Sequence, residues 1–132
     1  MDVGALVDAA RDARQRSHVP YSNFRAGAAV LTRSGVMVPG VIVENVSLGL
    51  AMCAERVALF STVASGEQPL ALALVAPATK GQQTWPCGAC LQVALELAGP
   101  GLPVFVGGVD PEVPVDSSTV ADLLPRGPKI DR

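Results

Sequence analysis

Apolar residues open the chain at intervals of three and four: Val3, Leu6, Val7, Ala10 and Ala13, with Asp8, Arg11, Asp12 and Arg14 between them. That spacing predicts an amphipathic helix over residues 3–17, ended by Pro20. Tyr21-Ser22-Asn23 reads as a turn. The pattern then becomes β-rich at 25–33 and 36–43, with Ser34-Gly35 between the runs as a two-residue hairpin signal. The second run is apolar almost throughout, which predicts a strand covered on both faces, and Pro39-Gly40 marks a bulge or an edge within it. Helical spacing returns from Cys53 to about Ala64. Residues 70–76, held between Pro69 and Pro77, predict a short buried strand. Residues 88–98 predict a third helix, stopped by Gly99-Pro100-Gly101. A strand at 102–106 and a short helix at 118–124, capped by Ser117 or Ser118, complete the pattern. Helices alternating with strands imply an α/β fold, a mixed β-sheet layered between helices, in a single domain spanning 1–132.

Composition narrows the partners. Hydrophobic residues make up 49% and charged ones 17%, which excludes a disordered, solvating segment. The net charge is −2, and between Arg56 and Arg126 only Lys80 is basic, so nucleic acid is not the expected partner. No apolar run approaches the roughly 18–20 residues that a bilayer span needs. The start, Met1-Asp2-Val3-Gly4, has no cationic and apolar leader, so the expected compartment is the cytoplasm. Aromatics are only 4%, which leaves a core of small aliphatic side chains; association between subunits is one way to bury more.

The chemistry gathers at the cysteines. Three is too few for a disulfide scaffold, and in a reducing compartment they point to metal or catalysis. Cys53-Ala54-Glu55 opens the second helix and Pro86-Cys87-Gly88-Ala89-Cys90 opens the third, so each thiol lies near a helix amino terminus, which favours thiolate. Cys87 and Cys90 alone would also suit a redox pair or half of a structural zinc knuckle. Neither explains Cys53-Ala54-Glu55, and a structural site lacks its fourth cysteine. Three ligands leave a tetrahedral zinc one open position, as in catalytic sites. Glu55 stands close enough to pass a proton between water and a substrate nitrogen. On its own it would be an ordinary first-turn acid; beside three ligand cysteines it reads as catalytic. A thiol, Glu, then Pro-Cys-x-x-Cys is the zinc deaminase pattern. The single histidine, His18, sits at a helix end and reads as a surface residue.

The chain resembles the small homotetrameric cytidine deaminases over nearly its whole length. The resemblance is carried by Pro20-Tyr21-Ser22-Asn23-Phe24, Gly27-Ala28-Ala29, Val43-Glu44-Asn45-Val46-Ser47, Cys53-Ala54-Glu55-Arg56, Pro86-Cys87-Gly88-Ala89-Cys90 with Gln92, and Leu123-Leu124-Pro125. It implies hydrolysis of cytidine or deoxycytidine to the uridine product with release of ammonia, one zinc per subunit, four subunits, and sites completed by neighbouring chains. It further implies that Glu44 binds ribose hydroxyls, Phe24 packs at the nucleoside pocket, the Ala54 backbone touches the base, and Arg56 hydrogen-bonds a zinc thiolate. An arginine there is sensible, because three thiolates on one zinc sum to −1 and would blunt its Lewis acidity. From the residues alone, Glu44 equally suits a structural pairing and Phe24 plain core.

Several positions depart from that family. Ile42 stands where an asparagine usually binds the sugar, Leu48 where tyrosine is common, and Leu91 where arginine follows the second motif. Trp85 replaces a small residue, and Arg126-Gly127-Pro128 replaces an aromatic tail. None touches the thiols or Glu55. They leave open the same chemistry on a modified aminopyrimidine nucleoside, a nucleoside antibiotic or a free base. A non-catalytic, zinc-stabilised binding module is the remaining alternative, and Glu55 argues against it.

Overall fold

Asp2 starts the molecule's first helix: its Oδ1 accepts the Ala5 N–H at 2.9 Å, satisfying one of the free donors of the opening turn. In the computed structural model, which describes residues 1–130, this helix, α1, spans Val3–Ala13 and tightens into a 3-10 turn at Arg14–Arg16. The strands β1 (Gly27–Thr32) and β2 (Met37–Val41) follow, then helix α2 (Ala54–Ala64), strand β3 (Pro69–Val75), helix α3 (Gly88–Ala98), strands β4 (Pro103–Gly107) and β5 (Asp116–Thr119), and a short helix α4 (Val120–Leu123). The five strands form one mixed sheet in the order β2-β1-β3-β4-β5, antiparallel throughout except for β3 and β4. Among the described residues, no helix is long and apolar enough to cross a membrane.

The sheet is covered on both faces, and the alternation of side chains along each strand divides the core in two. Ala28, Val30, Leu72, Leu74, Val104 and Val106 pack with Ala58 and Leu59 of α2 and Ala94 and Leu95 of α3. Ala29, Leu31, Ala71, Ala73 and Val75 face Leu6, Val7 and Ala10 of α1. Two-sided burial is why β1 and β3 read as unbroken apolar runs.

Three expectations are corrected. β2 is an edge strand, as Pro39-Gly40 suggested, but it is not covered on both faces: Val38 and Gly40 are buried and Pro39 is exposed. The β1–β2 turn has three residues, 33–35, closed by Thr32 N–H to Val36 O at 2.8 Å and Gly35 N–H to Thr32 O at 3.0 Å. Gly35 takes φ 90°, the left-handed position such three-residue loops require. Finally, 116–119 is a strand and the helix begins only at Val120, capped by Thr119 Oγ1, which accepts the Asp122 N–H at 3.2 Å.

Because β1 runs antiparallel to both neighbours, β2 and β3 point the same way. Each leads through a loop into a helix, so the amino termini of α2 and α3 arrive at the same edge of the sheet, the edge where α/β folds place their ligands. Helix α2 lies tight on β2. A Cβ on Gly40 would fall 2.3 Å from the Ala54 carbonyl oxygen and 2.5 Å from the Ala58 nitrogen, both backbone atoms. Gly40→Ala is therefore expected to cost about 1–3 kcal/mol or more by overpacking. It should lower the urea midpoint at constant slope; an unchanged midpoint would show that α2 can move freely off the strand.

Candidate active site

Cys53 is the residue immediately before α2 and Cys87 the one immediately before α3, while Cys90 occupies the first turn of α3. The three Sγ atoms lie within 4.8 Å of one another, with Cys53–Cys87 at 3.9 Å and Cys87–Cys90 at 3.5 Å. A tetrahedral zinc with bonds of about 2.3 Å separates its sulfur ligands by about 3.8 Å, so the thiols already stand at ligand spacing. Cys90 is fully buried and Cys87 exposed, which leaves the centre open on one side. Among the described residues the grouping has three members. His18 is exposed, bonds through its backbone to Ile42 and Glu44, and is not one of them.

Charge around the thiols is unequal. A hydrogen bond from Cys90 holds the Cys53 thiol down at about 5, against the opposing effect of burial, with Arg56 assisting. The same bond and burial push Cys90 up, so Cys53 gives up its proton first. Arg56 lies in the first turn of α2 and donates from Nη2 to Cys53 Sγ at 3.5 Å, which holds the guanidinium firmly protonated. Such partners of a metal ligand typically contribute 10–100-fold in metal affinity. Arg56→Ala is expected to lose zinc to a competing chelator at about 10–100-fold lower chelator concentration. Equal competition curves would reduce Arg56 to a packing residue.

Glu55 is 4% exposed, an unusual setting for a carboxylate. Burial is the largest cause of its raised pKa, about 7, with the Cys53 charge adding to it. It lines a pocket of about 120 Å³ together with Cys53, Cys87 and Ala54. Phe24, Ala26, Ile42, Leu74, Ala76 and Trp85 make the remaining wall almost wholly apolar. A larger hollow of about 440 Å³ beside Arg14, Pro77 and Val113 contains none of the thiols.

The residues singled out in the sequence separate into two places. Cys53, Cys87, Cys90, Glu55, Ala54 and Phe24 meet at the pocket, and Arg56 touches it through Cys53. Glu44 does not line it. Its carboxylate accepts Tyr21 N–H (3.1 Å), Ser22 N–H (3.2 Å) and the Ser22 hydroxyl (2.6 Å), and the Ser22 hydroxyl is the main reason its pKa is lowered. Ser22 was named only within the Pro20-Tyr21-Ser22-Asn23-Phe24 motif, and Ala26, Leu74, Ala76 and Thr84 are lining residues the sequence did not flag. Thr84 lines the pocket while its hydroxyl donates to the Pro77 carbonyl at 2.6 Å. Nothing in a polar loop residue signals that.

Three thiols at zinc spacing, an open side and a buried carboxylate in the same pocket define a metal centre of the hydrolytic kind on a mixed α/β sheet. A model of the cytidine and deoxycytidylate deaminase zinc-binding region matches residues 2–105. The chain is 39% identical to a cytidine deaminase of Halalkalibacterium halodurans over 125 residues, 95% of this chain and 92% of the relative. Its structure superimposes on the crystal structure of cytidine deaminase from Burkholderia pseudomallei with a TM-score of 0.85 at 44% identity, covering 95% of this chain and 98% of the other. Against the Mycobacterium tuberculosis cytidine deaminase structure the TM-score is 0.80 at 36% identity, covering 98% and 99%. The chain belongs to the cytidine and deoxycytidylate deaminase zinc-binding family.

Proposed function

We propose that the protein hydrolyses cytidine and deoxycytidine, taking up one water and releasing ammonia with the uridine product. The observation that carries this is Glu55, buried beside Cys53 and Cys87 in the wall of an apolar pocket large enough to hold the reacting edge of a ring. Cys53, Cys87 and Cys90 would hold a zinc ion, which would supply the Lewis acidity that makes water a nucleophile near neutral pH. Glu55 takes the proton of the attacking water and delivers it to N3 of the pyrimidine, which makes C4 electrophilic. The water oxygen bonds to C4; Glu55 then takes the proton of this new hydroxyl and gives it to the amino group, whose bond to C4 breaks as ammonia departs. Phe24 and Trp85 exclude solvent around the ring, and the Ala54 backbone, at the start of α2, lies against the base. An ionised carboxylate has about four acceptor positions and Glu44 uses three on the chain, leaving one for a sugar hydroxyl.

Exposed apolar side chains support a homotetramer. Val46, Leu48 and Leu50 are 78%, 85% and 68% exposed on the segment between Glu44 and Cys53, and Phe60 and Val63 project from α2. Patches of that kind are covered in stable proteins, and copies of this chain are the proposed cover. We place this reaction in pyrimidine salvage in the cytoplasm. Incubation of the zinc-loaded protein with cytidine is expected to yield uridine and ammonia in equal amounts. Zinc-loaded protein that forms neither would contradict the reading.

A further inference from the structure

Trp85 is the chain's single tryptophan, and it lines the small pocket two residues ahead of Cys87. It also packs against the core on the α2 and α3 side of the sheet. Its backbone is fixed from both directions. Pro86 follows it, is itself buried, and restricts Trp85 to extended conformations. Before it, the Thr84 hydroxyl donates to the Pro77 carbonyl at 2.6 Å and stands 2.6 Å from the Thr79 hydroxyl, which ties the two ends of the 77–84 loop together. Moving the indole aside by shifting its backbone would break these ties.

Two helix starts flank the thiols, and they meet different edges of a bound ring. Helix α2 brings Cys53, Ala54 and Glu55; the chain entering α3 brings Trp85 and Cys87. With C4 at the thiols and N3 on Glu55, the other neighbour of C4 is C5, on the side of the chain entering α3. Resting on the deaminase reading above, we infer that Trp85 sets which pyrimidines the site accepts at ring position 5: the indole leaves room for hydrogen there and none for a methyl group. The pocket is only about 120 Å³. Leu74 and Ala76, which share its wall, are buried and have nowhere to retreat. A close-packed wall takes an added methyl only by straining. A hydrophobic pocket separates two ligands that differ by one carbon by roughly 10–200-fold. The preferred substrate is an aminopyrimidine nucleoside with hydrogen at C5, and its 5-methyl counterpart is discriminated against.

The test compares kcat/KM of the zinc-loaded protein on cytidine and 5-methylcytidine. Cytidine is expected to be preferred by roughly 10–200-fold. Trp85→Ala should bring the two nucleosides near parity. The electronic effect of the methyl group on C4 is the same in both proteins, so the change in ratio reports the indole alone. Binding supplies a readout that needs no turnover: uridine should shift the emission of Trp85 at a concentration roughly 10–200-fold lower than 5-methyluridine. Values of kcat/KM within a few fold of each other in the unmodified protein would overturn the inference. So would equal binding of the two uridines, no response of Trp85 to uridine, or an unchanged ratio in Trp85→Ala. The unmodified protein decides the matter even where the variant does not fold. If the two uridines bind as expected and neither nucleoside is turned over, the deaminase reading fails and the place of Trp85 at C5 stands.

Discussion

Glu55→Ala is expected to lower kcat on cytidine by about 10²–10⁴-fold, the usual contribution of a positioned proton carrier, while one zinc per chain is retained. The two readouts separate because Glu55 is not among the three grouped ligands but shares their pocket. Its carboxylate is buried in a largely apolar wall, and burial is what lifts its pKa into the range where it can both take and give a proton. Removing it also removes a buried acid with no salt-bridge partner among the described residues, so the variant should fold at least as well. Glu55→Gln keeps the shape and loses the proton transfer, and should be as inactive as alanine. Turnover within a few fold of the unmodified protein in either variant would assign the proton transfers to another group.

Cys90→Ala should have the second large effect, on metal and stability together. Cys90 is fully buried in the first turn of α3, facing Cys53 and Cys87, and removing its sulfur leaves two ligands on two different helices. Zinc that binds only the folded chain stabilises it by RT ln(1 + [L]/Kd), about 4 kcal/mol when zinc is a thousandfold above its Kd. The unmodified protein should therefore lose several degrees of Tm on adding chelator. Cys90→Ala should melt at the chelated temperature, show no response to chelator and release no ammonia. A variant that still carries stoichiometric zinc would mean the centre is built from other groups.

The metal centre was legible because its signal is local and rests on residue type. Cysteines at Cys53, Cys87 and Cys90 sit at helix starts that apolar spacing alone locates, and the fold needs only to bring two helix amino termini together. Paired strand-to-helix units running the same way do that. What depended on partners distant in sequence was harder to read. β5 is Asp-Ser-Ser-Thr, polar and weak in strand preference, and exists because it pairs with β4 from Pro103↔Thr119 to Val106↔Asp116. The openness of β2 was hidden because an apolar run does not say which of its faces a helix covers. Glu44 stood out as a carboxylate in an apolar strand end, yet its partners Tyr21 and Ser22 lie more than twenty residues back. Ile42 and Trp85 were visible as departures from the family, and their places in the pocket wall came only with the fold.

The most direct test of the central claim is a titration of zinc into metal-free protein, reading bound zinc and the rate of cytidine deamination in the same samples. The account predicts a rate that rises in proportion to bound zinc and reaches its plateau at one ion per chain, with Glu55→Ala binding the same ion and staying at the baseline. A rate independent of bound zinc, or one ion per chain with no deamination in the unmodified protein, would contradict it.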